Sequence, residues 1–268
     1  MTAPIRAGRA LIRRCRQHLS ERELAVVASV ERYKYLSARQ IEELHFFDHA
    51  SPLSGARTCR RVLERLASGG VLRRLDRRIG GVRAGSVSFV YGVGALGQRL
   101  LHINDAVRVR PREPSAEFLD HTLAIAQLAV DLHRANRGSD IELIDVVPEP
   151  ACWRQFTVGL EGAQILKPDL SVSLRAGDYE YQWFIEIDLS THSAAAVVRK
   201  CGVYQRYWAT GLEQERSGLF PKVLVVAPND RRRSLLQRTI TGAHQLNAKL
   251  FAVTTTTDAV AILTGEAS

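Results

Sequence analysis

The chain has few residues from which a cysteine-based centre could be built. Its four cysteines, Cys15, Cys59, Cys152 and Cys201, are scattered and form no Cys-x-x-Cys pair. That argues against a zinc site and fits free thiols in a reducing compartment. No apolar run approaches the ~18–20 residues of a membrane span, so no membrane partner is expected. The stretch "MTAPIRAGRALIRRCRQHLS" is basic. It lacks the long apolar stretch and small-residue cleavage site of a signal peptide, so a cytoplasmic location is expected. Also missing are a Walker A sequence, a Gly-rich dinucleotide fingerprint and a Ser-centred nucleophile elbow. ATPase, dehydrogenase and α/β-hydrolase readings therefore have no support. What is present is a chain of 268 residues, 46% hydrophobic and 24% charged. That composition suits a folded soluble protein of one large or two ordinary domains.

The charge is unevenly distributed. Residues 1–115 hold 22 Arg and Lys against 10 Asp and Glu, a net +12, whereas residues 116–268 hold 15 against 18, a net −3. A strongly basic half predicts a polyanionic partner, here double-stranded DNA. Within it, Ser20 to Tyr35 reads as a helix with Leu24, Val27 and Val30 or Ala28 on its buried stripe. "LSARQIEELHFF" reads as a second helix, N-capped by Ser37 with Gln40 completing a capping box. "SGARTCRRVLERLASGG" reads as a third, with Cys59, Val62, Leu63 and Leu66 inward and Gly69-Gly70 at its end. Arg57, Arg61 and Arg65 recur every four residues and share an outward ridge.

Strand candidates at Val71–Arg77 and Ser86–Tyr91 follow, joined by a loop with Gly80, Gly81 and Gly85. Three helices and a glycine-rich basic hairpin predict a winged helix-turn-helix, with the third helix in the major groove and the wing on phosphates or in the minor groove. The candidate DNA-binding residues are Arg57, Arg60, Arg61 and Arg65 of the helix and Arg73, Arg74, Arg77, Arg78 and Arg83 of the hairpin. A winged helix used only for protein contacts is the alternative. Residues 1–103 would form this domain, with "GALGQRLLHI" a further short helix. Residues 104–116, polar and proline-bearing, would be the linker.

Residues 117–268 would form the second domain. "SAEFLDHTLAIAQLAVDLHRAN" is a long amphipathic helix. Strands are expected at Ile141–Val147, Phe156–Val158, Leu166–Leu174 and Tyr181–Ile187. A helix through "STHSAAAVVRKCGVYQRYWATG", the buried strand "KVLVVAP", a helix through "DRRRSLLQRTITGAHQLNA" and the strand "KLFAVTT" complete it. The fold class is thus α/β in the α+β sense, a mixed sheet flanked by helices.

Acids in strand interiors need a reason, because facing carboxylates repel. If Gly177-Asp178 are the central residues of a type II′ turn, paired residue numbers sum to 355. Asp169 then faces Glu186, and alternation places Asp188 on the Glu186 face and Lys167 on the Asp169 face. Three carboxylates converging at a hairpin end suit Mg²⁺ or Mn²⁺ and phosphodiester hydrolysis. Surface acids neutralised by Lys167 or nearby arginines are the alternative.

"KPDLSV" at 167–172, then "FIEIDLS" at 184–190, then a helix carrying Lys200 and Tyr204, resembles the PD-(D/E)xK nuclease superfamily. With the winged helix in front, "PDL…FIEIDLST…RKCGVYQRYW" is similar to the replication-relaxation family of bacterial plasmids and mobile elements. The likeness covers nearly the whole chain in architecture and about residues 117–208 in motifs. It implies Asp169 and Glu186 as ligands of Mg²⁺ or Mn²⁺, with Asp188 beside them, and implies DNA and replication or mobile-element proteins as partners. His121-Thr122-Leu123 matches a His-x-Leu motif of the family, so His121 joins Asp169, Glu186, Asp188, Lys200 and Tyr204 as a candidate catalytic residue. His133 and His192 could also approach the site.

The superfamily's lysine belongs two residues after the glutamate, where this chain has Asp188. Lys200, one helical turn from Tyr204 on the same face, or Lys167, would supply the ammonium. Two functions stay open: a metal-dependent endonuclease, or a non-catalytic DNA-binding replication or regulatory factor whose second domain mediates assembly. A homodimer is compatible with the winged helix, although no heptad pattern signals one.

Overall fold

A computed structural model describes residues 9–79, 88–102, 113–159 and 162–266. The chain divides into two compact units, 1–126 and 127–268. The first unit opens with α1 (Arg9–Gln17) and α2 (Glu21–Arg32), then β1 (Tyr35–Ser37), α3 (Ala38–His45), α4 (Pro52–Ser68), β2 (Leu72–Ile79), β3 (Ser88–Val93) and α5 (Ala95–Leu101). Each main helix starts where a hydroxyl can satisfy free N–H groups. Ser20 with Glu23, Ser37 with Gln40, and Ser51 with Ser54 form capping boxes, and Pro52 opens α4 where its missing N–H costs nothing. Gly55 lets α4 approach α3, because a Cβ there would lie 2.6 Å from the Phe46 carbonyl oxygen.

The three strands form an antiparallel sheet in the order β1-β3-β2. Helix, short strand, two helices and a hairpin in this order is the winged-helix arrangement. β1 is an addition to the sequence expectation, which ran the first helix to Tyr35. The helix stops at Arg32 because Lys34 turns into the left-handed region, at φ 65°, and Tyr35 to Ser37 then pair with β3. Val26, Val27 and Val30 are buried as one face of α2, while Leu24 is half-buried and Ala28 exposed.

α6 (Ala116–Asn136) starts in this unit. Leu119 and Leu123 pack with Leu75 and Val90, and Gln40 Nε2 donates to the Leu123 carbonyl at 2.9 Å. The division at Ala126 therefore falls inside α6, later than the boundary expected at 117. The expected linker, 104–116, lies mostly outside the described residues.

The second unit continues with β4 (Ile141–Pro148), β5 (Arg154–Thr157), β6 (Ala163–Leu166), β7 (Leu170–Ala176), β8 (Tyr179–Ile187), α7 (Ala194–Ala209), α8 (Leu212–Ser217), β9 (Lys222–Ala227), α9 (Asp230–Thr241), β10 (Phe251–Thr255) and α10 (Ala259–Leu263). Five strands form a mixed sheet in the order β10-β9-β8-β7-β4, antiparallel between β4, β7 and β8 and parallel from β8 to β10. Phe184, Val223, Val225 and Ala227 meet Cys201, Tyr204 and Tyr207 of α7 and Leu236 and Ile240 of α9 in one core. On the other side, Trp183 donates its indole N–H to the Leu263 carbonyl at 3.2 Å.

The single strand expected at Leu166–Leu174 is two strands. β6 pairs with β5 in a separate hairpin, and β7 enters the main sheet after Pro168. Proline cannot donate to a ladder, so the chain changes sheets there. No helix among the described residues is long and apolar enough to cross a membrane.

Candidate active site and basic surface

The β7–β8 hairpin sets the site. Gly177 has φ 57° and Asp178 stays at negative φ, the combination of a type II′ turn. The pairs Ala176↔Tyr179, Leu174↔Tyr181 and Leu170↔Ile185 all follow the expected register. That register carries Asp169 to the end of β8. Its N–H donates to the Ile185 carbonyl at 3.0 Å, and its Oδ2 accepts from Ile187 N–H at 2.7 Å. Asp169 and Glu186 are both buried, at 5% and 9% exposure.

Between them stands Lys200. Its ammonium pairs with Glu186 Oε2 and lies 3.8 Å from Asp169 Oδ1. Tyr204, fully buried one turn further along α7, donates its hydroxyl to Glu186 Oε1 at 2.5 Å. The helix reaches the strand end because Tyr204 packs its ring against Phe184 of β8, two residues before Glu186.

Burial and the Asp169 charge push Glu186 up to about 8. Burial alone would lower the Lys200 ammonium, but Glu186 and Asp169 outweigh it and hold it above its ordinary value. Burial, then Glu186, raises the Tyr204 hydroxyl well above its usual range. Buried carboxyls shifted by one another and by a shared ammonium mark a candidate functional site.

Other expected members are placed differently. Asp188 follows β8, and both its oxygens are taken by Arg232 of α9, at 2.6 and 2.9 Å. Arg232 also donates to the His192 carbonyl at 2.6 Å. The expected convergence of three carboxylates is therefore two carboxylates and a lysine, with the third acid neutralised by an arginine. Among the described residues no group of three His, Cys, Asp or Glu side chains gathers as for a metal. Lys167 lies over the Trp153 ring at 4.7 Å, so Lys200 is the lysine that meets the carboxylates. His121 belongs to the first unit, in the part of α6 before Ala126, whereas Asp169, Glu186, Lys200 and Tyr204 belong to the second.

Arg232 was missed by sequence reasoning. Its signal is Asn229, which caps α9 and accepts from Arg232 N–H at 3.0 Å, fixing that arginine in the first turn. A second buried network was also missed. Arg154 donates to Glu213 at 2.9 Å, and Tyr207 donates to the same carboxylate. Ser171 and Ser173 continue the Asp169 side of β7 and line a cavity of about 320 Å³ with Asp145, Gln182, Arg154 and Glu213.

The two carboxyl oxygens that face Lys200, one from Asp169 and one from Glu186, already share one cation, and Mg²⁺ commonly takes one or two carboxylates. Asp169 and Glu186 thus fit a divalent ion in donor type. Cys152, close by, donates its thiol to the Pro168 carbonyl, and burial pushes it up to about 12. That makes it an inert packing group.

On the first unit, Arg57, Arg60 and Arg61 are exposed on α4, and Arg57 and Arg61 make no ion pair among the described residues. Arg65 pairs with buried Glu23, and Arg73 donates to Glu113 at 2.9 Å, so both are held by acids. Arg74 lies 4.5 Å over the Phe89 ring. Arg77 and Arg78 fall in β2, and Arg83 lies outside the described residues.

A comparison with protein families matches residues 27–223 to the replication-relaxation family. No curated protein and no solved structure matches the chain significantly.

Proposed function

The chain belongs to the replication-relaxation family, which points to a role in plasmid or mobile-element replication or DNA processing, and from that premise we propose that it docks on duplex DNA through its winged helix and hydrolyses a phosphodiester bond in its second unit. The observation that carries this reading is the reach of Lys200 to both Asp169 and Glu186. It supplies from α7 the ammonium that the strand position of Asp188 lacks.

Asp169 and Glu186 would hold Mg²⁺ or Mn²⁺. When bound, such an ion supplies Lewis acidity and an oriented water. The chain's own groups do the rest. Lys200 stabilises charge that develops on the phosphoryl oxygens, and Tyr204 fixes the rotamer of Glu186 through its hydroxyl. Arg232 clamps Asp188 and so ties the end of β8 to α9. On α4, Arg57 and Arg61 suit guanine edges, while Arg60 of the helix and Arg74, Arg77, Arg78 and Arg83 of the hairpin suit phosphates.

The test is conversion of supercoiled plasmid DNA to open-circular or linear form. Cleavage is expected with Mg²⁺ or Mn²⁺, lost with excess EDTA and lost in Glu186→Gln. Cleavage that persists in EDTA or in that variant overturns the assignment.

A second reading, a non-catalytic replication factor whose second unit binds other proteins of the element, is favoured by the Asp188–Arg232 pair at the usual lysine position. Salt-dependent DNA binding with no cleavage of any DNA form supports it.

A further inference from the structure

Large apolar side chains of the first unit are mostly buried, yet two stand exposed around the start of α4. Phe47, in the turn before it, is 57% exposed, and Leu53, its second residue, is 78% exposed. Leu53, Arg57 and Arg61 recur every four residues, so they lie on one ridge of the helix. The next member, Arg65, is held by Glu23. The free part of the ridge is therefore one apolar side chain followed by two guanidiniums.

A surface of this kind suits an anionic partner that offers apolar spots at fixed spacing. The DNA major groove is such a partner. Its only apolar group is the thymine C5-methyl, and guanine presents O6 and N7 to arginine. Four residues of helix rise about 6 Å. One base step is about 3.4 Å. A helix lying in the groove is inclined to the duplex axis, and helix residues three or four apart can read successive bases, so Leu53 and Arg57 reach base pairs one to two steps apart.

We propose that Leu53 is a specificity-determining residue that reads a thymine methyl in the major groove, one or two base pairs from a guanine read by Arg57. This rests on the assignment of α4 as the DNA-docking helix. Leu53 makes its contribution by covering a methyl group, so its effect depends on that methyl and not on the phosphate charge.

The probe follows from this chemistry, because uracil is thymine without the methyl. The full-length protein is kept in EDTA, and the duplex it selects most tightly from a random library is used in fluorescence anisotropy. Each thymine is replaced in turn by uracil. One replacement is expected to weaken wild-type binding about fourfold, the size of one buried methyl-sized group. Leu53→Ala is expected to bind the thymine and uracil duplexes equally while keeping its salt dependence. Leu53 is exposed and alanine favours helix, so the variant should fold.

If no replacement changes wild-type affinity, or if Leu53→Ala keeps the thymine preference, the proposal is overturned while DNA docking by α4 stands. If Leu53→Ala weakens both duplexes equally and dissociates a dimer by light scattering, the ridge binds a second copy and the proposal also fails. If the wild type binds no duplex in a salt-dependent way, the DNA-docking assignment falls with it.

Discussion

Acids are similarly numerous in the two units, 12 in residues 1–126 and 16 in residues 127–268, but the bases are not, at 22 and 15. In the second unit the cations near the core are paired inside the fold: Lys200 with Asp169 and Glu186, Arg232 with Asp188, and Arg154 with Glu213. In the first unit Glu23 and Glu113 take Arg65 and Arg73, and Arg57 and Arg61 are left facing solvent. Net charge alone would hide this division. A surplus on the surface acts at long range and yields to salt, whereas a balanced buried pair acts only on what enters it.

The largest effect that separates the units should come from Arg232→Ala. It leaves the Asp188 carboxylate, 8% exposed, without its partner. Stability is expected to fall by about 3–5 kcal/mol in urea unfolding, and Arg232→Leu with Asp188→Leu should recover most of it. DNA affinity at low temperature should be unchanged, which would confirm that this arginine serves the fold.

Next, Lys200→Ala should reduce any cleavage rate on the order of 10²-fold or more, with the DNA dissociation constant little changed. A parallel loss of binding would merge the roles of the two units.

Smaller is Arg57→Ala, expected to narrow the preference for specific over random duplex by about 1–3 kcal/mol. Arg60→Ala should instead weaken all duplexes alike and flatten the salt dependence by about one unit. Both are anisotropy titrations at several salt concentrations.

The last concerns protons. Glu186, raised to about 8, holds its proton more tightly in the folded chain than in the unfolded one. Its contribution to stability is present below the ordinary carboxylate range and is lost as pH rises through about 8. Melting temperature in metal-free buffer should therefore fall over that interval, and Glu186→Gln should flatten the fall.

Much of this was legible because local rules and long-range geometry agreed. Ser37 marks a helix start through its capping box with Gln40, a hydrogen-bond pair within four residues, whereas the start of α4 at Pro52, capped by Ser51, lies two residues before the expected one. Gly177 marks the turn, and the turn fixes the register that brings Asp169 to Glu186. What could not be read depends on contacts far apart in sequence. β1 exists only because β3 returns beside it. Arg232 reaches Asp188 across 44 residues, through the packing of α9 on the same sheet face as α7. The division of α6 is likewise a packing matter, since Leu119 and Leu123 meet residues of the winged-helix sheet. Alternation could place Asp188 on the Glu186 face, but not reveal which cation would meet it there.

The cysteines have a practical consequence. Cys59 sits in the core of the first unit, and Cys152 and Cys201 in that of the second, each pushed up to about 12 by burial. None can be alkylated without local opening, so each thiol is a clock for the unit that encloses it. Cys201 neighbours Lys200 in sequence, so its labelling rate times the opening of the wall behind the carboxylates. Under a maleimide pulse, duplex DNA that docks only on the winged helix should slow the Cys59 clock and leave the other two running at their own pace.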